Sequence, residues 1–218
     1  MRFYGREIKA VTFDMDGTIY NAARLLMRIL PEVIKNRRFI VAFYRIREEI
    51  RREGFKGDIR KEVLLRLSRK LMIAETDCEY MIDETIYRLF ASKIDRRLLF
   101  DGLREFIDML KSKDVRLGII SDFPVDEKLL RLGLYFEPWR AVINSEDVGA
   151  LKPSIEPFSK AAEILSIEPQ YILHIGDRES SDVKGAKKAG FISARIIRIG
   201  RLRSEADIVF RSYREFLS

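Results

Sequence analysis

Ala10-Val11-Thr12-Phe13-Asp14-Met15-Asp16-Gly17-Thr18-Ile19-Tyr20 is the stretch on which the reading of this chain turns. An apolar run of β type stops there in two carboxylates, a glycine and a threonine. Asp14 and Asp16 lie two apart, so on a continuing strand both would face the same way. Gly17 marks where the backbone leaves strand geometry. An acidic turn or a helix N-cap would account for one acid and the glycine. Neither needs both acids with Gly-Thr behind a buried strand, and the stretch therefore points to a functional site.

Three other places complement it. Arg116-Leu117-Gly118-Ile119-Ile120 runs into Ser121-Asp122, and Tyr171-Ile172-Leu173-His174-Ile175 runs into Gly176-Asp177 with a further acid at Asp182. Between them Lys152 stands in Gly149-Ala150-Leu151-Lys152-Pro153. Open α/β sheets bind ligands beyond the carboxyl ends of their strands, where strand order reverses, so strands ending in Asp, Ser and Asp can converge. The set reads as carboxylates for a hard cation, a hydroxyl and an ammonium for anionic oxygens, and one carboxylate left over as nucleophile. Singly, Ser121 is a strand-end residue and Lys152 one lysine among many; Asp14, Asp16 and Asp177 supply the frame. His174 alternates with Ile172 and reads as a core residue. Glu179, Ser180 and Ser181 suit helix capping better than substrate contact.

In this order D-M-D-G-T, I-I-S-D, L-K-P and G-D-R-E-S-S-D resemble the four motifs of the haloacid dehalogenase (HAD) superfamily of hydrolases. The resemblance covers the whole chain except one insert. It implies a Rossmann-like parallel sheet flanked by helices and Asp14 as nucleophile. Asp16 would protonate the leaving oxygen and then activate water. Ser121, Asp122 and Lys152 would bind phosphate. Mg²⁺ would be held by Asp14, Asp177 and the Asp16 carbonyl, with Asp182 behind them orienting Lys152. The activity implied is hydrolysis of a phosphate monoester of a small metabolite through an aspartyl-phosphate. Asp16 argues against the dehalogenase branch, where no leaving group needs a proton. A phosphomutase, or a binding or regulatory protein on the same fold, stays open. Gly17 stands alone, which is no G-x-G-x-x-G dinucleotide fingerprint.

After Ala10–Phe13 the next strong strand begins near Val115, although a βαβ unit needs only ~30 residues. The surplus reads as an all-helical cap domain over residues 20–98, set into an α/β core of residues 1–19 and 99–218. Leu26, Ile29, Leu30, Val33 and Ile34 recur at helical spacing, as do Val63, Leu64, Leu67 and Leu71. Thr76 and Glu79 suggest a capping box. Further strands are expected at Val115–Ile120, Ala141–Ile143, Ile192–Ile199 and Ile208–Phe210. Pro153 suits the first turn of a helix from Ser154, and Gly133 suits a left-handed cap.

At 218 residues, 47% apolar and 34% charged, the chain has the composition of a globular protein. A single cysteine, Cys78, permits no internal disulfide and suits a core position. Met1 to Glu7 lacks the apolar stretch of a signal peptide and no run of ~18 apolar residues occurs, so a cytoplasmic protein without a membrane partner is expected. Residues 20–98 hold 19 Lys and Arg against 12 Asp and Glu, so the insert carries the net charge of +7. The bias peaks at Arg37, Arg38, Arg45, Arg47, Arg51 and Arg52. That stretch reads either as a solvated helix face with Glu48–Arg52 support or as a surface drawing in an anionic substrate. Phe39, Phe43, Tyr44 and Phe55 fit helix packing rather than base stacking, so no nucleic acid is expected. One Gln and three Asn among abundant charge is a hyperthermophile tendency.

Overall fold

The computed structural model describes residues 1–217. A short hairpin of β1 (Arg2–Phe3) and β2 (Arg6–Glu7) turns at Tyr4 and Gly5, both at positive φ. It lies outside the sequence reading. Strand β3 (Ala10–Phe13) is buried along its whole length. The chain then enters a helical insert made of α1 (Ala22–Arg28), α2 (Leu30–Lys35), α3 (Arg37–Glu53), α4 (Ile59–Leu71) and α5 (Glu75–Met81). Helix α5 continues into a π-helical stretch, Ile82–Arg88, and α6 (Leu89–Ser92).

Past the insert come α7 (Leu103–Ser112), β4 (Arg116–Ser121), α8 (Asp126–Leu132), β5 (Trp139–Asn144), α9 (Ser145–Val148), α10 (Glu156–Leu165) and β6 (Ile172–Gly176). A π-helical turn, Glu179–Val183, leads into α11 (Lys184–Lys188), β7 (Ile192–Ile196) and β8 (Ile208–Phe210). The sheet order is β5-β4-β3-β6-β7-β8, parallel at every pairing. Strand order reverses at β3, flanked by β4 and β6. A ligand crevice belongs there.

Alternation along the strands sends side chains to two cores, as a sheet covered on both faces requires. Val11, Phe13, Leu117 and Ile119 pack with Phe106, Leu110 and Tyr213 on one side. Ala10, Ile120 and Ile172 pack with Phe158, Leu165 and Ala186 on the other. In a third core Phe43, Ile46 and Ile50 of α3 meet Val63 and Leu67 of α4 and Cys78 of α5, and Leu151 from outside the insert joins them. Leu25, Ile29, Ile94 and Leu98 instead join the core of the sheet.

Several local expectations are corrected. Leu26, Leu30 and Ile34 face solvent at 45, 47 and 54% exposure, because α1 ends at Arg28 and the turn at Ile29 breaks the stripe. Ala74, without a side-chain bond, is the N-cap of α5, and Thr76 lies inside its first turn. Helix α10 starts at Glu156 with Pro157 in its first turn, while Pro153 precedes it after a cis peptide. Strand β7 ends at Ile196. Gly133 does end α8 in the left-handed region, and Gly54 ends α3 in the same way. Among the described residues no helix is long and apolar enough to cross a membrane.

Candidate active site

Asp14 follows β3, Ser121 closes β4 and Asp177 follows β6, so the middle strands present all three at one edge. The Asp14 N–H donates to the Ile175 carbonyl at 2.8 Å, which extends the ladder one residue and anchors the acid to rigid backbone. Gly17 turns away at φ 90°, and a Cβ there would collide with the Asp177 carboxylate. Only glycine lets the first loop lie against the fourth.

Lys152 joins the loops. Its Nζ lies 2.6 Å from Asp14 Oδ1, 2.7 Å from Asp182 Oδ1 and 3.0 Å from the Ile120 carbonyl, and it is 2% exposed. Burial opposes its charge, but Asp14, Asp182 and Asp122 more than offset that and keep it an ammonium. Burial would likewise raise Asp182, yet Lys152 and His174 hold it well below the usual carboxylate range. Asp182 Oδ2 accepts the Arg178 N–H at 3.0 Å, so both its oxygens are engaged.

Asp14 and Asp177 are shifted the other way. Burial pushes the Asp14 carboxyl well up; Lys152 opposes this, and Asp182, Asp177 and Asp16 add to it. Asp177 is pushed up to about 6, by burial first and then Asp182. Its Oδ1 is buried and accepts no hydrogen bond. Carboxylate oxygens of Asp14, Asp177 and Asp182 lie within 4.8 Å of one another. An orphaned buried oxygen beside crowded carboxylates fits a hard divalent cation such as Mg²⁺, which takes oxygen donors.

Asp16 points elsewhere. Lys128 of α8 sets its Nζ 2.7 and 2.8 Å from the two Asp16 oxygens, and the Tyr20 hydroxyl donates to Oδ1. One motif thus sends its first acid to Lys152 and its second to Lys128. Neither Lys128 nor Tyr20 was among the residues expected from sequence, since Asp126-Glu127-Lys128 reads as an ordinary first helical turn.

Ser121 is buried and its Oγ accepts the Phe123 N–H at 3.1 Å. Asp122, expected to bind phosphate, commits its carboxylate to the Lys152 N–H at 3.1 Å and to Arg51 at 2.9 Å. A carboxylate would repel a phosphate; this side chain instead ties the second loop to the third and to the insert, which leaves the Asp122 backbone N–H as its group for a phosphate contact. Burial opposes its ionised form, but Lys152, Arg51 and Arg47 keep it below the usual range. His174 sits in the sheet core, edge-on to Phe158 and 3.0 Å from Thr12 Oγ1. Its Nε2 is 3.6 Å from Asp182 Oδ1, too long for a hydrogen bond. Glu179 caps no helix; it accepts Arg195 at 2.7 Å and Ser204 at 2.6 Å, anchoring the loop after β7.

The insert is clasped onto this edge. Buried Arg47 ion-pairs with Glu146 of α9, donates to the Asp122 carbonyl at 2.5 Å and lies 4.3 Å over the Phe123 ring. Arg51 donates to the Lys152 carbonyl at 2.6 Å. Lys56 pairs with Glu156 at 2.5 Å, and the Gly57 N–H donates to the Gly149 carbonyl at 2.9 Å. Under the clasp a cavity of about 150 Å³ holds Asp14, Asp16, Arg51, Lys152 and Arg178. A larger one of about 680 Å³ opens beside Asp16.

Comparison with known proteins identifies the family. A family model described as haloacid dehalogenase-like hydrolase matches residues 8–190. The chain is 26% identical to the glyceraldehyde 3-phosphate phosphatase of Methanocaldococcus jannaschii, over 94% of this chain and 92% of the relative. It is 27% identical to the pyrophosphatase PpaX of Bacillus mycoides, over 84 and 81% of the two chains. The crystal structure of a HAD phosphatase from Thermococcus onnurineus matches with a TM-score of 0.65 at 26% identity, covering 96% of each chain. With the family model spanning all four strand-end loops, this chain is an enzyme that belongs to the haloacid dehalogenase-like hydrolases.

Proposed function

We propose that the protein is a cytoplasmic, Mg²⁺-dependent phosphatase that hydrolyses a phosphate monoester of a small metabolite through an aspartyl-phosphate. The observation that carries this reading is the separation of the two acids, Asp14 against Lys152 and Asp16 against Lys128. Hydrolysis through a carboxylate needs a nucleophile and a separate proton carrier, and monoesters demand of order 20 kcal/mol of barrier lowering. An Asp14 oxygen attacks phosphorus as the ester bond breaks, and Asp16 delivers its proton to the departing oxygen. Asp16 then takes a proton from the water that attacks phosphorus, which frees Asp14 and inorganic phosphate.

Lys152, the Ser121 hydroxyl and the Asp122 backbone N–H hold phosphoryl oxygens. Asp182 positions Lys152, with which it is in contact. Asp14, Asp177 and the Asp16 carbonyl would hold Mg²⁺, whose charge, when bound, offsets the repulsion between Asp14 and a phosphate dianion. Residues 20–98 act as the cap that shields this chemistry from water.

A screen of phosphorylated metabolites with and without Mg²⁺, scored by released phosphate, tests the reading, with Asp14→Asn and Asp16→Asn alongside. Both variants lose steady-state turnover. An ester with a good leaving group restores phosphorylation of Asp16→Asn but not of Asp14→Asn. Equal rescue of both, or covalent phosphate on another residue, contradicts the assignment.

A further inference from the structure

We infer that the alcohol released by this enzyme is uncharged and carries an aromatic body, rather than being a short polyol or a second phosphate. The inference rests on the phosphatase reading. It starts from the chamber of about 680 Å³ beside Asp16, enclosed by α1, the π-helical stretch Ile82–Arg88, α6 and the loop from β4 to α8. The chamber and the smaller cavity around Asp14 share Asp16, Tyr44, Phe123 and Arg178. An ester whose leaving oxygen is protonated by Asp16 must extend its organic part into this space.

The walls set the chemistry. Leu25, Tyr44, Ile86, Tyr87, Phe90 and Phe123 make them largely apolar and aromatic. Several of the polar groups among them are paired: the Tyr87 hydroxyl with Glu146 at 2.8 Å, Lys128 with Asp16, and Arg88 with Glu84 at 2.9 Å, while Arg178 and Tyr44 lie where the chamber meets the smaller cavity. Asp16, Asp83, Glu84, Asp126 and Glu127 outnumber Arg88, Lys128 and Arg178 in the lining, a net negative charge that disfavours an anionic leaving group. Away from Arg178 and Tyr44, a polyol would surrender its water to walls that are apolar or whose polar groups mostly have partners, at a cost for each unmatched hydroxyl. An aromatic body gains from area burial and ring contacts. The volume lies within the range of pockets that enclose whole organic ligands, and three carbons would fill little of it.

The helix geometry supports the same conclusion. Seven residues, Ile82–Arg88, form a π-helix. π-helical turns are rare and occur mostly at functional sites, and Asp83, Glu84, Ile86, Tyr87 and Arg88 of this one all line the chamber.

The test is binding of non-hydrolysable phosphonates to the full-length protein with Mg²⁺, by calorimetry, paired with hydrolysis of the matching phosphate esters. The probes are 2-phenylethyl-, 2,3-dihydroxypropyl- and methylphosphonate, all alkyl compounds, so leaving-group reactivity does not mimic selectivity in the paired assay. The phenylethyl compound is expected to bind roughly 10- to 100-fold tighter than the dihydroxypropyl one. Equal or reversed affinities, or no binding of any phosphonate, overturn the inference. Phenylethyl preference without hydrolysis of any ester supports the aromatic chamber and removes the phosphatase reading; hydrolysis without preference does the opposite. In Ala22→Trp, and separately in Phe90→Ser, the ratio of phenylethyl to methyl affinity should fall at least about threefold. Because the ratio is internal to each variant, partial misfolding does not imitate the effect, and an unchanged ratio in both counts against the chamber.

Discussion

Asp14 and Asp16 leave one strand two residues apart and meet different lysines, buried Lys152 on the loop before α10 and Lys128 on α8. Lys128 is buried and grips both Asp16 oxygens, so its loss leaves the acid held by the Tyr20 hydroxyl alone. Lys128→Met is expected to lower kcat about 100-fold while KM moves only a few-fold, since no phosphate contact is lost; steady-state kinetics on one ester decide. A second outcome follows from Asp177. Its folded value of about 6 exceeds that of an unfolded Asp, about 4. Between those pH values the metal-free native state holds a proton that the unfolded chain has lost. Stability without metal therefore falls as pH rises through the window, and Asp14 is shifted in the same direction. Metal competes with these protons, so the rise in Tm on adding Mg²⁺ should grow from pH 4.5 to 7. An increment independent of pH would show that these carboxylates are not the metal's ligands.

Helix α3 works as two faces. Arg47 and Arg51 point at the sheet edge and are paired, whereas Arg37, Arg38, Arg45 and Arg52 face outward. Arg52 pairs with Glu48 at 3.6 Å, the solvated arrangement the spacing suggested. Arg47 cannot serve as a free charge drawing in substrate, because Glu146 neutralises it. The pair is buried on both sides, at 2 and 6% side-chain exposure, and removing one partner of such a pair strands the other charge. Glu146→Gln should cost about 3 kcal/mol of stability, read by denaturant unfolding. Arg47→Met in that background should recover much of the loss. A neutral Glu146→Gln would mean that water reaches the pair and the clasp is loose.

The whole molecule is laced with ion pairs that share residues. Arg66 grips Glu53 at 2.7 Å and Glu62 at 2.7 Å, and Arg60 joins Asp83 at 2.7 Å with Glu79 at 3.8 Å. Isolated surface pairs contribute little, but networks strengthen with temperature as the desolvation cost falls. With so few amide side chains, a Tm above ~75 °C is expected, beyond the ~45 to 65 °C mesophile cluster. Calorimetry in dilute buffer with Mg²⁺ checks it, and a reversible transition near 50 °C would contradict it.

Asp14, Ser121 and Asp177 were legible from the chain alone because a buried parallel strand is a continuous apolar run, and the place where that run stops is the sheet edge where ligands bind. Lys152 gained meaning only beside the other motifs, since nothing local marks it. The sequence by itself determined the strands of the parallel sheet, the helical insert and the acids at the edge, though not the hairpin of β1 and β2. Tertiary structure alone decided that Asp16 meets Lys128, 112 residues away, that Asp122 meets Arg51, 71 away, and that Arg47 meets Glu146, 99 away. Periodicity tells which face of a helix is buried but not what it is buried against. The partner is set by strand order and by how the insert folds back over the sheet, and neither is written in local spacing.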